Sequence, residues 1–384
     1  MTRFPVLPAV ILAISALTGC QVLQKPAQTT DSQKTSRTET EAPDSKQKTE
    51  ELQTFKPSKP LLPDTISVKQ QLVQTPARVG GKLVLGFAEI GTLTEYGLKM
   101  DAKIDTGAGR SSIDARNIKN FERDGKKWVR FDLPRTSKAN VTLELPVKDT
   151  VLIKVPGDED SQTRYVVNIN VKVGDITQNL DVSLNDRERF EFPLLIGRDF
   201  LKDMAIANVG KKYIATEKVL DTFTVKVPTG GNLSIKEQID KPVDVSGLAL
   251  FGELEEVRIK GFKNTFKARI DTGAKTSSID ATDIEYYTKN GEEWVRFKVV
   301  NGDNSQTFER KVHREVSIKR HGGLANQSRV TVFIPITLGK ISKNVEFTLT
   351  NRTGYEHPIL IGERLLSNTA LVDVAQQNIA ETKK

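Results

Sequence analysis

The clearest patterning of apolar and polar residues in this chain has a period of two. Val167, Ile169, Val171 and Val173 alternate with Asn168, Asn170 and Lys172, and residues 330–338 do much the same with β-branched side chains. Such alternation predicts half-buried strands. Asp124-Gly125 and Asn290-Gly291 are tight-hairpin signals, because both positions of such a turn need positive φ. Short helices are expected only after Gly197 (residues 198–204) and after Gly362. A continuous apolar run occupies residues 4–17, shorter than the roughly 20 residues of a membrane-spanning helix. From Gln21 to about residue 80 the chain is polar and rich in Gln, Thr, Ser and Lys. That composition buries too little apolar surface to offset its ordering entropy, and a disordered tether is expected.

An internal repeat organises the remainder. Residues 102–116 read AKIDTGAGRSSIDAR and residues 268–282 read ARIDTGAKTSSIDAT, with 11 of 15 positions identical at a spacing of 166. At the same spacing Trp128-Val129-Arg130-Phe131 faces Trp294-Val295-Arg296-Phe297. Farther on, Pro193-Leu194-Leu195-Ile196-Gly197 faces Pro358-Ile359-Leu360-Ile361-Gly362 at a spacing of 165. A duplicated, mainly β domain is expected, at 81–216 and 248–384, with a linker at 217–247. Trp128 and Trp294 are expected in the core.

Composition narrows the chemistry. The chain has 384 residues, 37% hydrophobic and 28% charged, enough for about two domains. The net charge is +8, but the basic residues are dispersed among 49 acidic ones, so no nucleic-acid partner is expected. One cysteine and three histidines exclude an internal disulfide and a cysteine-built zinc site. There is no Gly-rich loop ending in Gly-Lys-Ser/Thr and no His-Glu-x-x-His. No metal and no cofactor is expected.

The first residues have the layout of a secretory signal: Arg3, the apolar run, then small residues. Leu17-Thr18-Gly19-Cys20 resembles a bacterial lipobox. The resemblance implies a signal peptide over 1–19, lipidation of Cys20 and membrane attachment through the acyl chains. Gln21 after the cysteine implies the outer membrane, facing the periplasm.

Asp105-Thr106-Gly107-Ala108 and Asp271-Thr272-Gly273-Ala274 each follow an isoleucine. Two carboxylates that face each other closely can share a proton, so that one is a general base while the other is a general acid. The glycine lets backbone approach a carboxylate, and a threonine hydroxyl can bond across the pair. Each half resembles a retropepsin-like aspartic peptidase domain, and more closely the bacterial family often labelled ATP-dependent zinc protease. The Asp-Thr-Gly-Ala motif, Ser111-Ser112 or Ser277-Ser278, the Trp-Val-Arg-Phe strand and the Leu-Ile-Gly segment carry the resemblance.

It implies two tandem retropepsin-like β-barrels and an aspartic endopeptidase that hydrolyses a peptide or protein. Asp105 and Asp271 would be catalytic, supported by Thr106, Gly107, Ala108, Thr272, Gly273 and Ala274. Flap hairpins would carry Gly125 and Gly291. Relatives tend to accompany ligase-like proteins, which implies a regulatory partner. The favoured arrangement pairs Asp105 with Asp271 within one chain; the alternative pairs domains between chains, as a homodimer. Two other functions stay open: a non-catalytic binding module of an envelope complex, and an amide-cleaving enzyme of other, metal-dependent mechanism. Gly109-Arg110 departs from the basic residue plus threonine found at Lys275-Thr276. Arg187 and Arg352 are candidates to orient a substrate carboxylate, or are structural.

Overall fold

The computed structural model describes residues 65–139, 141–154, 161–229, 236–318 and 326–380. The expected signal peptide and lipidated Cys20 lie outside them. Among the described residues no helix is long and apolar enough to cross a membrane.

Strands dominate, as the period of two predicts. The alternating residues lie in Ser161–Val173 and Gln327–Leu338. Val167, Ile169, Val171 and Val173 point into the core while Asn168 and Lys172 face solvent. Each such fully buried side chain stabilises the fold by about 1.5–3 kcal/mol. Among the described residues the two helices are single turns, Arg198–Leu201 and Glu363–Leu366. Both hairpin turns have two residues at positive φ: Asp124 at 51° and Gly125 at 68°, Asn290 at 54° and Gly291 at 75°. They close two-residue loops between Arg123↔Lys126 and Lys289↔Glu292.

The expectation of two tandem barrels is corrected by the strand pairing. In the first half six strands close on themselves in the order Ile176–Asn185, Ser112–Asp114, Leu194–Ile196, Leu98–Ile104, Ala88–Leu93 and Ser161–Val173, whose two ends pair. Val141–Lys154, Lys126–Leu133 and Arg116–Arg123 extend that sheet to nine strands. The second half does not form a separate barrel. Its strands belong to an 11-stranded sheet that also takes in Arg78–Val79, Lys82–Gly86 and Ala205–Asn208 of the first half. Ala249–Ile259 also pairs with Gln327–Leu338 over three positions, from Val257↔Leu338 to Ile259↔Ile336, but the sheet runs on past it through Ala370–Gln377 into the strands of the first half. The join to the first half is Ala207↔Val372. The physical reason is sharing of edges: strands that an independent domain would leave unpaired find partners in the other half. Apolar packing follows, and one cluster of buried residues runs from Leu83 through Phe131 and Phe266 to Val374.

Two stretches expected to lack structure contain strands. Thr65–Thr75, inside the predicted tether, pairs antiparallel with Val219–Pro228 and parallel with Gln238–Pro242, both inside the predicted linker. None of the three can be satisfied alone, so sequence-local reasoning passes over them.

Each Leu-Ile-Gly segment is threaded between the strands that flank an Asp-Thr-Gly turn. Leu194–Ile196 runs parallel to Leu98–Ile104 and antiparallel to Ser112–Asp114. Ile359–Ile361 does the same between Phe266–Ile270 and Ser277–Asp280.

Candidate active site

Asp105 and Asp271 leave the ends of Leu98–Ile104 and Phe266–Ile270. Their backbone N–H groups donate to Ile196 O and Ile361 O, both at 2.9 Å, so the threaded segments set where the turns begin. Within each turn the aspartate accepts from two backbone N–H groups. Asp105 Oδ1 takes Gly107 N at 3.0 Å and Ala108 N at 3.1 Å. Asp271 Oδ1 takes Gly273 N at 2.8 Å and Ala274 N at 3.0 Å. These bonds aim each carboxylate and leave its other oxygen free of them.

The two turns meet. A Cβ built on Gly107 would lie 2.3 Å from Asp271 Cγ, and one built on Gly273 would lie 2.2 Å from Asp105 Cγ. Only glycine permits that approach; any side chain would occupy the place of the opposing carboxylate. The threonines lock the turns beneath, both fully buried. Thr106 N donates to Thr272 Oγ1 at 3.0 Å and Thr272 N to Thr106 Oγ1 at 2.9 Å. The hydroxyls then donate onward, Thr106 to Ile270 O at 2.7 Å and Thr272 to Ile104 O at 2.9 Å. Every donor and acceptor of this four-bond cycle comes from opposite halves of one chain.

Burial pushes the Asp271 carboxyl up, and the charge of Asp105 pushes it further, to about 7; the N–H groups of Gly273 and Ala274 oppose the rise. Like charges so placed hold one proton between them as a pair. Asp105 lines a cavity of about 520 Å³ together with Phe87, Lys103, Phe192, Lys212 and Gly273. A larger cavity of about 820 Å³, lined by Met100, Lys172 and Pro193 among others, contains neither aspartate.

Other predicted residues fall as follows. Ser111 Oγ accepts Gly197 N at 3.0 Å and Ser277 Oγ accepts Gly362 N at 3.1 Å, tying each turn to the segment behind it. Ser112 and Ser278 accept the buried guanidinium groups of Arg187 (3.0 Å) and Arg352 (2.8 Å). Each arginine also donates through Nε to a backbone carbonyl, Phe192 O and His357 O. These arginines are thus part of the scaffold; burial pushes Arg187 down to about 10, partly offset by Asp105 and Asp114. Gly125 and Gly291 stand at hairpin tips, where an added Cβ would meet nothing within 4 Å. Trp128 and Trp294 are not core residues. Alternation sends Val129, Phe131, Val295 and Phe297 inward and the tryptophans to the other face, under the cations of Arg123 (4.5 Å) and Lys289 (4.9 Å). Counting the period from Val129 already places them there.

The sequence reading missed Lys103 and Arg198 as neighbours of the turns. Lys103 Nζ donates to Gly273 O and Arg198 Nη1 to Thr106 O and Gly107 O. Nothing in a single strand or turn signals these contacts. Among the described residues no cluster of three or more His, Cys, Asp or Glu is placed to hold a metal ion.

The profile of a family described as RimB-like, retropepsin-like aspartic endopeptidase RimB, matches residues 84–218 and again 250–383. The chain belongs to this family. Both matched stretches contain an Asp-Thr-Gly-Ala turn and its Leu-Ile-Gly segment. Curated relatives include proteins named probable alpha-L-glutamate ligase. That of Desulfotalea psychrophila is 33% identical over 129 residues, 33% of this chain and 28% of that protein. That of Shewanella pealeana is 38% identical over 114 residues, 29% of this chain and 25% of that protein. The matches thus span little more than a quarter of these relatives. A crystal structure of a Legionella pneumophila protein of unknown function is 34% identical, covering 34% of this chain and 95% of that one, with a TM-score of 0.30.

Proposed function

We propose that the chain is an aspartic endopeptidase in which Asp105 and Asp271 form one catalytic pair. The supporting observation is the seat of each carboxylate against the glycine of the opposite turn. With one proton on the pair, the ionised carboxylate takes a proton from a water molecule as that water attacks the peptide carbonyl. The protonated carboxyl gives its proton to the carbonyl oxygen. The resulting tetrahedral diol collapses with proton transfer to the nitrogen, and the C–N bond breaks to acid and amine. The hydrogen-bonded threonines keep the carboxyls aligned, so little reorganisation is needed at the moment of reaction. The hairpins carrying Gly125 and Gly291 are the candidate flaps that close over substrate and exclude water.

Part of this family's sequence also occurs in proteins named as probable alpha-L-glutamate ligases, which makes peptides containing glutamate the first substrates to try. The Leu-Thr-Gly-Cys20 sequence supports attachment through a lipidated Cys20 to the outer membrane, facing the periplasm. Cys20→Ala should then move the chain from the membrane to the soluble fraction.

The deciding experiment incubates the chain with a peptide library from about pH 3 to 8, the range that carboxyl-pair pKa values set. Asp105→Asn and Asp271→Asn proteins run alongside. Loss of cleavage in both variants supports one shared pair. Persistence in either one overturns it, and a folded but inactive unsubstituted chain favours a binding module.

A further inference from the structure

The two Asp-Thr-Gly turns match residue for residue, yet different cations hold them. On the first turn Arg198 Nη1 donates to Thr106 O at 2.9 Å and to Gly107 O at 2.7 Å. The matching position of the second half is Glu363, which has no such donor. On the second turn Gly273 O instead accepts from Lys103 Nζ at 2.5 Å. Lys103 stands two residues before Asp105, so it reaches across from the first half. Its own counterpart, Arg269, makes no matching bond to the first turn. Arg269 is held by Glu356 at 3.1 Å and Glu253 at 3.8 Å. Both clamps therefore come from the first half.

Their charges differ as well. Arg198 is neutralised by Glu253 at 3.0 Å. Among the described residues Lys103 has no carboxylate within ion-pair distance; it lies over the ring of Phe87 at 5.3 Å. Other charged groups stand around the pair. Arg187 acts on Asp105 and Arg352 on Asp271. Lys212, Lys275, Glu191 and Glu363 line the same cavity as Asp105. In this setting Lys103 combines a direct bond to the Asp271 turn with a charge that no acid cancels.

We propose that Lys103 is a positioning residue that makes the carboxyl pair unequal: it holds the Asp271 turn in place and sets an unneutralised cation beside it. The two aspartates, equivalent in sequence, are then not interchangeable within the chain. This rests on the reading of Asp105 and Asp271 as one catalytic pair.

A direct test titrates the carboxyl carbons of the pair by NMR in the full chain labelled with ¹³C-aspartate, assigned with the two Asp→Asn proteins. It needs no substrate. The proteins compared are the unsubstituted chain, Lys103→Met, Lys103→Arg and Arg269→Met. Removing a nearby cation disfavours the carboxylate, so Lys103→Met should raise the apparent pKa of the pair by about one unit. Lys103→Arg keeps the charge and should keep the titration. Arg269→Met should leave it unchanged, since that charge is already neutralised. On a cleavable peptide, Lys103→Met should move the acidic limb of the kcat profile upward by the same amount. Misplacement of the turn should also lower kcat on the order of 10- to 100-fold, with little change in KM. An unshifted pair in Lys103→Met, or an equal shift in Arg269→Met, overturns the proposal. The expected NMR shift in a chain that cleaves nothing sustains the clamp while removing the peptidase reading.

Discussion

At the scale of single residues the site is held by groups that cannot be replaced one at a time. Thr106→Val deletes the hydroxyl that donates to Ile270 O and accepts from Thr272 N. Two buried backbone groups lose their partners, at about 1–3 kcal/mol each. Denaturant unfolding should therefore show a loss on the order of 3 kcal/mol for either Thr106→Val or Thr272→Val. The double substitution should lose less than the sum, because both belong to one cycle. The pair also makes stability depend on pH. Asp271 is raised in the folded chain, so the native state keeps a proton that the unfolded chain releases. Its contribution is fully present below the ordinary carboxyl value and is lost as pH rises through about 7. Buried Glu89 is raised too and acts in the same direction. Asp114, Glu346 and Asp373 are held low and act in the opposite direction only at more acid pH. Thermal unfolding should occur at a higher temperature at pH 5 than at pH 8, although His357, which burial holds low, opposes the trend as pH falls. Asp271→Asn should shrink the difference, leaving the opposed parts due to Glu89 and His357.

Elements show where local pattern suffices and where it does not. The hairpins were legible because Asp124-Gly125 and Asn290-Gly291 satisfy a purely local demand for positive φ. The barrel strands were legible from their period of two. Thr65–Thr75 was not, because its partners lie about 150 residues away and its own residues are mostly polar. This strand yields a prediction. A chain beginning at residue 80 leaves Val219–Pro228 and Gln238–Pro242 without their shared partner. Hydrogen exchange should then show loss of protection across those two strands. Protection in Leu98–Ile104 and Phe266–Ile270, which lie in other sheets, should be retained.

The described residues, 65–380, form one structure despite the repeat. The 11-stranded sheet takes strands from both halves, one apolar cluster runs through both, and Lys82 reaches Asp373 at 2.8 Å. The threonine cycle adds four more bonds across the same divide. Scanning calorimetry on residues 65–384 should give a single transition whose calorimetric and van't Hoff enthalpies agree. Two separate transitions would mean that each half holds its own stability.

The amino-acid sequence alone determined the repeat, the β-rich character, the two Asp-Thr-Gly-Ala turns and the Leu-Ile-Gly segments behind them. All of these rest on local stereochemistry or on identity between the halves, and both are readable along one dimension. Only the tertiary structure decided that a single barrel closes while the second half shares its sheet with the first. Strand pairing is settled by which edges find partners, and no single strand encodes that. Only the tertiary structure, likewise, set Asp105 against Gly273 and Asp271 against Gly107, and brought Lys103 rather than a second arginine to the Asp271 turn. Repetition in sequence predicts two equal turns; the packing of one chain around them makes their surroundings unequal.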